Sequence, residues 1–493
     1  MTSSLGNGAS LAYMAPEGLL GATVAVAMAS GVALRRRGLT TVIAVVLLLA
    51  AFILSMVATP PGQGLFHGMI VADWMLVVFR PIFILAGLLA VAAAYDSAEV
   101  DSRDMADMVV LVAASVLGMC LLAGASDLLM MYLAMEMVGI LSYVLAGLRR
   151  KDQLSSEAAL KYAIYGGAAS GVMLFGLSLL YGISGDTSLL AVREAIGSTT
   201  ANNPIALLAM TFVLAGLAYK VAAVPFHMWC PDVYQGAPTP VTAFFSVAPK
   251  AAGFAMLMRI LSLLFAGALN ASLSEGLSVL VAIVAVATMT MGNLQALGQS
   301  SVKRLLAYSS IAHAGYIMLG VTTLPAISTS QPDYTGFRAV FFYLVLYLFM
   351  NLGAFFAVSF VVTRTSSDRM DSFRALGQRS PFVAAMLTIF LLSLAGIPPT
   401  AGFVGKFYLF YALLAQGGPI YFALALVGVL NSFLSLFYYA RVLKAMYLEP
   451  SEDRRPIPLA PTSAVVLAVL AAFTLLFGVY FGPVQEAAGL VLQ

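Results

Sequence analysis

The feature that most constrains this chain is a succession of long apolar runs, separated by short polar or Gly/Pro-rich breaks. A membrane-spanning helix needs about 20 consecutive apolar residues, and the runs match that length. Only 10% of the 493 residues are charged, whereas soluble domains carry roughly 25%. The sequence therefore predicts an all-α membrane protein with about fourteen transmembrane helices and no separate soluble domain. The runs lie at 15–34, 39–58, 68–95, 106–124, 127–148, 158–182, 205–231, 241–265, 274–296, 303–322, 336–363, 381–416, 418–445 and 460–482.

The distribution of basic residues supports this count and gives the helices an orientation. Lys and Arg collect in the loops on the cytoplasmic side of a membrane protein. When the loops are numbered in order, the odd loops hold 18 of the 25 basic residues, including those at 35–37, 149–151 and 454–455, and the even loops hold only Arg193 and Arg338. The sequence therefore predicts both termini on the non-cytoplasmic side. The first run lacks a basic leader and a cleavage site, so we interpret it as a retained span.

One glutamate and three lysines lie deep inside the runs, where an ionisable group costs a few kcal/mol and needs a partner, water or a function. Glu136 lies about nine residues into its helix, roughly 14 Å along an apolar core about 30 Å thick. Lys250 lies at a similar depth, Lys220 is in the middle of a long run, and Lys406 follows a broken segment. We interpret these four residues as a polar file that crosses or runs along the membrane. The alternative is that the lysines snorkel to the membrane surface or only hold helices together through ion pairs.

Two further cations, Arg80 and Arg259, lie nearer the ends of their runs. Long basic side chains near a helix end can extend to the membrane surface. We therefore expect both arginines to snorkel and to take no part in the polar file.

Lysine suits proton transfer for a general reason. Desolvation lowers the usual lysine pKa of about 10.4, and an approaching carboxylate raises it again. A lysine whose glutamate partner can be near or distant therefore holds a proton in one arrangement and releases it in the other. Sodium prefers several oxygen ligands, and these runs contain one deep carboxylate, so the polar file favours protons over sodium.

Two runs are interrupted by proline, which removes an amide donor and breaks or kinks a helix. Pro225 follows Lys220, and the pair Pro398 and Pro399 precedes Lys406. Irregular backbone inside a membrane requires polar partners. A broken helix beside a lysine, once in each half of the chain, is typical of inverted-repeat transporters with a site at the break.

Two histidines are candidate proton relays because imidazole titrates near neutral pH. His227 lies beside the first break, where it either relays protons or binds a freed carbonyl. His313 shares a helix face with Ser309 and Tyr316 and is the better relay candidate. The turn-rich stretch 231–240 is interpreted as a loop between helices.

Other features point to packing or to no site at all. We expect Gly166, Gly167 and Gly171 to allow close approach of helices, because they lie inside an apolar run. Cys120 and Cys230 cannot supply the four thiolates of an iron–sulfur cluster or a structural zinc site. The net charge of +3 gives no excess for nucleic acid. We therefore predict no cofactor or metal in this chain and no nucleic-acid partner.

Several long segments resemble the antiporter-like membrane subunits of respiratory complex I. The similarity is carried by Lys220–Pro240, Ser300–Gly315 and Leu391–Phe407. Within that family, Glu157–Leu189 and Ser393–Tyr408 resemble subunit N of NADH:quinone oxidoreductase, the subunit 2 of mitochondria. The resemblance covers nearly the whole chain.

The resemblance implies a fold of two inverted five-helix repeats, each with a broken helix. Accordingly, residues 1–104 are expected to form flanking helices, 105–265 the first repeat, 266–446 the second repeat and 447–493 a C-terminal helix. It also implies a proton path through a central polar axis. Glu136, Lys220, Lys250 and Lys406 keep the residue types that the family has at its proton-translocating positions.

The function implied is that of a proton-translocating subunit in a redox-driven complex of a bacterial plasma membrane. NADH, FMN, iron–sulfur clusters and quinone are then expected on partner subunits. The partners are expected to be neighbouring antiporter-like subunits, small membrane subunits and the lipid bilayer. The alternatives are a subunit of a multisubunit Na+/H+ antiporter or of a membrane-bound hydrogenase, and a scaffold subunit that conducts no ion. A stand-alone carrier is disfavoured because no organic-substrate pocket is evident in the sequence.

Overall fold

The computed structural model describes residues 5–33, 37–60, 62, 64–198, 204–265, 271–323, 334–452, 455–457 and 460–491. The basic residues at 35, 36 and 454 lie outside these ranges. The described chain is almost entirely helical, as predicted. Its helices are α1 (Asn7–Leu11), α2 (Ala15–Ala33), α3 (Arg37–Val57), α4 (Trp74–Tyr95), α5 (Met105–Gly124), α6 (Leu128–Ala146), α7 (Gln153–Ser184), α8 (Leu189–Ser198), α9 (Pro204–Val221), α10 (Trp229–Gly236), α11 (Thr239–Phe265), α12 (Ala271–Leu297), α13 (Val302–Val321), α14 (Thr335–Thr365), α15 (Leu376–Arg379), α16 (Pro381–Ala395), α17 (Ala401–Gln416), α18 (Pro419–Tyr447), α19 (Pro461–Val479) and α20 (Gly482–Leu490).

Each predicted apolar run lies on one of these helices or on two consecutive ones. Within the described ranges, eleven helices are long and apolar enough to cross a membrane. The largest boundary difference is at the run predicted at 68–95, which begins as a helix only at residue 74. The preceding residues form a small antiparallel pair, β1 (Gly64–Leu65) and β2 (Ile70–Val71). The Asp73 carboxylate then starts α4 by accepting a hydrogen bond from the amide of Leu76 at 3.0 Å, the usual role of an N-cap aspartate.

Both predicted breaks are present. The first separates α9 from α10 and contains a cis peptide bond before Pro225. The second separates α16 from α17, where Gly396 adopts φ 87° and the peptide before Pro399 is cis. The prediction of a loop at 231–240 was wrong, since most of this stretch belongs to α10. Pro231 does not prevent the helix because it lies in the first turn, where amides have no intrahelical acceptor.

The helices that carry the candidate site occupy the centre of the bundle. All residues of α11 between 239 and 262 are buried, and most of α13 and α14 is buried as well. The helices α3, α7, α18 and α19 lie at the periphery and expose many apolar side chains. Polar groups on α11, α13 and α14 are therefore enclosed by protein rather than by lipid.

The glycine prediction is confirmed at one position and wrong at two. A Cβ atom added to Gly166 would overlap the hydroxyl of Tyr143. The same atom added to Gly167 or Gly171 would meet nothing within 4 Å. Close helix packing therefore explains Gly166, whereas the other two glycines face away from the rest of this chain.

The snorkelling prediction for Arg80 was wrong. Arg80 Nε donates to Glu17 Oε1 at 2.6 Å, and the side chains are 2% and 4% exposed. The reason lies outside the local sequence, since Glu17 belongs to α2, which packs against α3 and α5, and its side chain meets Arg80 of α4 only in the folded bundle. A buried counter-ion lowers the cost of keeping the guanidinium inside the bundle.

The snorkelling prediction was also wrong for Arg259, which is 4% exposed. Its two terminal nitrogens donate to the Asp73 carboxylate at 2.8 and 2.9 Å, and Nε donates to the carbonyl of Ala123 at 2.7 Å. This two-pronged arrangement is the preferred geometry of an arginine–carboxylate pair. It joins α4, one of the flanking helices, to α11.

Candidate functional site

Lys406 is held by the end of the broken helix that precedes it. Its Nζ donates to the carbonyls of Leu394 and Ala395 at 3.0 and 2.9 Å, and to Ser432 Oγ at 2.9 Å. The last carbonyls of a helix have no intrahelical donor and carry partial negative charge. The break after α16 therefore creates a cation site in the chain interior, and the 4% exposed Lys406 side chain fills it.

An aromatic and amide network lies beside this lysine. Lys406 Nζ is 4.9 Å from the centre of the Tyr316 ring, close enough for a favourable cation–π contact. The Tyr316 hydroxyl accepts a hydrogen bond from Asn293 Nδ2 at 3.1 Å, and Asn293 Oδ1 accepts one from the Tyr438 hydroxyl at 3.0 Å. These side chains extend the polar surroundings of Lys406 onto α12 and α18.

His313 lies in a buried hydroxyl cluster. Its Nδ1 is 2.5 Å from the Tyr343 hydroxyl and its Nε2 is 3.4 Å from the Tyr439 hydroxyl. Ser309 Oγ is 2.5 Å from the same Tyr439 hydroxyl. The predicted shared face of Ser309, His313 and Tyr316 is confirmed, because all three contact the polar network from α13. His313 also lies within electrostatic range of both Lys250 and Lys406.

Lys250 contacts the same segment of α13. Its Nζ donates to the carbonyl of Ser310 at 3.0 Å and to Ser310 Oγ at 2.5 Å. The ammonium also lies 5.7 Å from the centre of the Tyr234 ring. Ser310 is adjacent to Ser309 in sequence. Neighbouring hydroxyls on α13 therefore contact Lys250, through Ser310, and the His313 cluster, through Ser309.

Lys220 lies on the last turn of α9, just before the first break, and is 4% exposed. An added Cβ at Gly253 would lie 3.3 Å from Lys220 Cγ, so the lysine stem crosses α11 at that glycine. Gly253 is three residues after Lys250 and therefore shares its helix face. Glu136 lies within electrostatic range of the Lys220 ammonium.

Glu136 lies at the edge of the chain rather than at its centre. Its side chain is half-buried and its Oε1 accepts a short hydrogen bond from Ser170 Oγ on α7. Ser170 Oγ also lies 3.2 Å from the Tyr132 hydroxyl. Leu133 and Ile140, on the same helix as Glu136, are more than half exposed. A neighbouring protein could therefore approach this end of the polar file.

His227 lies in the first break and is buried, but its Nδ1 has no hydrogen-bond partner within the described ranges. The flanking Phe226 and Met228 are 39% and 62% exposed. The break thus places His227 near the outer surface of the bundle. Its role as a relay stays a prediction.

The described residues contain no group of three or more His, Cys, Asp or Glu side chains that could hold a metal ion. Both cysteines are buried and unpaired with one another.

Sequence reasoning missed most of the groups between the lysines. A helical-period search for polar residues inside apolar runs would have found part of this set, because several members recur at intervals of four residues or lie in adjacent positions. The missed residues are Ser170, Asn293, Ser310, Tyr343, Tyr347, Asn351, Ser432, Tyr438 and Tyr439. Of these, Tyr347 has its ring centre 5.2 Å from that of His313, and Asn351 Nδ2 donates to Ser246 Oγ at 2.6 Å.

Comparison with known proteins gives the family. The family model described as NADH:quinone oxidoreductase/Mrp antiporter, transmembrane, matches residues 125–435, which is well over half of the chain. The chain belongs to this family. A protein named NADH-quinone oxidoreductase subunit N 2 from Sorangium cellulosum is 46% identical, over 98% of this chain and 97% of that protein.

Two further comparisons agree. The NADH-quinone oxidoreductase subunit N of Anaeromyxobacter sp. is 43% identical, over 93% of this chain and 91% of its own length. A chain in the structure of respiratory complex I from Thermus thermophilus is 30% identical, with a TM-score of 0.78, and the match covers 96% of this chain and 99% of that one. The predicted resemblance to the subunit N family is confirmed.

Proposed function

We propose that this chain is a proton-translocating membrane subunit of NADH:quinone oxidoreductase, with its protons carried by the polar file of Glu136, Lys220, Lys250 and Lys406. The observation that carries the proposal is the hydroxyl and imidazole network between Lys250 and Lys406, enclosed in the most buried part of the bundle. Hydroxyl groups both donate and accept hydrogen bonds, so they can pass protons between ammonium groups. The relatives that carry the subunit N name support the same function.

The proposed path runs from the cytoplasm to the outside. A proton enters at Lys220 or Lys250, passes the His313 cluster to Lys406, and leaves on the non-cytoplasmic side. Glu136 adjusts the proton affinity of Lys220 through their charge interaction and responds to a neighbouring subunit at the chain edge. Electron transfer elsewhere in the complex supplies the energy.

The proposal includes the finer topology. Fourteen spans with both termini outside agree with the bias of basic residues to the odd loops. The repeats at 105–265 and 266–446 each contain one broken helix, and the flanking helices 1–104 and the C-terminal part 447–493 pack around them. A bacterial plasma membrane is the proposed location, in keeping with the bacterial relatives.

We propose that the redox cofactors lie on other subunits. NADH, FMN, iron–sulfur clusters and quinone would be bound there, and this chain would bind neighbouring antiporter-like and small membrane subunits. The half-buried position of Glu136 and the exposed apolar faces of the peripheral helices support contact with such partners.

The test replaces Glu136 or Lys220 with alanine in the assembled complex. Proton pumping per NADH oxidised is measured from dye quenching in inside-out membrane vesicles, and assembly is checked on native gels. We expect both variants to assemble, to pump less and to transfer electrons to quinone more slowly. Thr474→Val is the matched control, because this buried hydroxyl on α19 bonds only the carbonyl of Leu470 among the described groups.

The alternatives give different results. Unchanged pumping in both variants with an intact complex contradicts the proposal and favours a scaffold subunit. Co-purification with antiporter or hydrogenase subunits instead of NADH:quinone oxidoreductase subunits favours the corresponding alternative.

A further inference from the structure

A second set of polar groups lies on the cytoplasmic side of Lys250, along one face of α11. Thr239, Thr242, Ser246 and Lys250 follow one another at intervals of three, four and four residues, which places them on a single helix face. All four side chains are buried, with exposures of 3% or less. From residue 239 to residue 250 the helix rises about 16 Å, roughly half of a 30 Å apolar core.

An ion pair lies where this face begins. Glu99 Oε2 accepts a hydrogen bond from the amide of Thr239 at 2.9 Å, and Lys303 Nζ donates to the carbonyl of Ala237 at 2.7 Å. Glu99 Oε1 and Lys303 Nζ are 3.8 Å apart. The carboxylate therefore lies at the start of α11 and the ammonium at the end of α10, each at the helix terminus that favours its charge.

This ion pair connects the surface to the interior. Glu99 Oε1 lies 3.6 Å from Arg149 Nη1. Exposure of the side chains falls along this series, from 37% for Arg149 to 8% for Glu99 and 2% for Lys303. Arg149 belongs to one of the basic odd loops, which the charge distribution assigns to the cytoplasm. Thr242 Oγ1 lies 3.4 Å from the Ala237 carbonyl that Lys303 contacts, so the α11 face continues directly from the pair.

Two buried polar oxygens along the same route have no hydrogen-bond partner in the described part of the chain. They are Thr239 Oγ1, at the start of the face, and Asn351 Oδ1, opposite its middle. Asn351 Nδ2 donates to Ser246 Oγ at 2.6 Å, so this side chain is held against the α11 face. Buried polar atoms in proteins are nearly always satisfied, by protein groups or by ordered water.

From these contacts we infer that protons reach Lys250 from the cytoplasm through the Glu99–Lys303 ion pair and along the hydroxyl face of α11, with Asn351 positioning Ser246. This inference rests on the proposed function and decides between its two entry residues in favour of Lys250. Successive hydroxyls on the face are about 6 Å apart along the helix axis, a gap that one bridging water spans. Each step breaks one O–H bond and forms another on the next oxygen, and the last step forms an N–H bond on the Lys250 amine; no other covalent bond changes.

The test compares variants that remove a hydroxyl with variants that keep it, in the assembled complex and the vesicle assay described above. The removing variants are Thr239→Val and Ser246→Ala, and the keeping variants are Thr239→Ser and Ser246→Thr. We expect each removing variant to lower proton pumping roughly twofold or more and to raise the solvent deuterium isotope effect, because a water-bridged step then limits the rate. Each keeping variant should retain more pumping than the removing variant at the same position, and Thr474→Val should pump like the unmodified chain.

Each outcome separates this inference from the proposed function. If Lys220→Ala and Lys250→Ala lower pumping while Thr239→Val and Ser246→Ala do not, the proposed function stands and the α11 route is overturned. If none of these variants lowers pumping, both fail. Where one removing variant does not assemble, the other decides, and Glu99→Gln gives a third measurement at the entrance, expected to lower pumping if the route is correct.

Discussion

Replacing Glu17 with leucine would leave the guanidinium of Arg80 buried without its counter-ion. The two side chains are 4% and 2% exposed, and the paired atoms are 2.6 Å apart. Removing one partner of such a buried pair costs about 3–5 kcal/mol, because the remaining charge loses its compensation. Arg80 would keep a contact from Nη2 to Met14 Sδ at 3.5 Å, which is too weak to replace a carboxylate. We expect Glu17→Leu, and likewise Arg80→Leu, to destabilise the packing of α2 against the rest of the bundle by that amount.

The double variant Glu17→Leu/Arg80→Leu provides the control. It removes both charges and leaves two apolar side chains of moderate size in their place. Replacing a buried ion pair with packed apolar residues is often neutral or stabilising. We therefore expect the double variant to be no more than about 1 kcal/mol less stable than the unmodified chain.

The thiol of Cys120 reports the effect directly. Cys120 lies on α5, fully buried and within electrostatic range of both Glu17 and Arg80. A buried thiol reacts with a maleimide only when the helices around it separate, so the labelling rate follows the open population. At 1.4 kcal/mol per tenfold change, 3–5 kcal/mol predicts labelling roughly 140- to 4,000-fold faster. Labelled peptides from native membranes are quantified by mass spectrometry, with buried Cys230 as the internal reference.

The reasoning is refuted if both single variants label Cys120 at the unmodified rate. It is also refuted if the double variant labels as fast as the singles, since the loss would then come from packing and not from an uncompensated charge.

Three further outcomes are expected. Lys406→Met should lower NADH-driven proton pumping roughly a hundredfold, the lower end of what one positioned proton-transfer group contributes, while NADH oxidation by ferricyanide stays unchanged. Gly166→Ala should lower the heat stability of the assembled complex by about 1–3 kcal/mol through overpacking, whereas Gly167→Ala should leave it unchanged, and equal effects would contradict the packing argument. Arg259→Lys should cost about 1–2 kcal/mol in the same measurement, because lysine cannot make the two-pronged bond to Asp73.

The sequence by itself determined the properties that depend only on residues close to one another along the chain. Run length and hydropathy predicted the helices, and Pro225 and the Pro398–Pro399 pair predicted both breaks, because proline acts on its own backbone. The depths of Glu136 and Lys250 were predicted by counting along a helix of constant rise. The same local reasoning failed at residues 231–236, where proline in a first turn permits a helix.

The tertiary structure alone decided which polar groups meet. Arg80 and Glu17 are 63 residues apart, Arg259 and Asp73 are 186 residues apart, and Lys250 and Ser310 are 60 residues apart. A hydropathy pattern shows which face of a helix is polar, but the rotation and crossing of packed helices decide what that face contacts. For this reason the arginines, which look like surface anchors in the sequence, are buried ion pairs, and the hydroxyls that link the lysines become visible only in the folded chain.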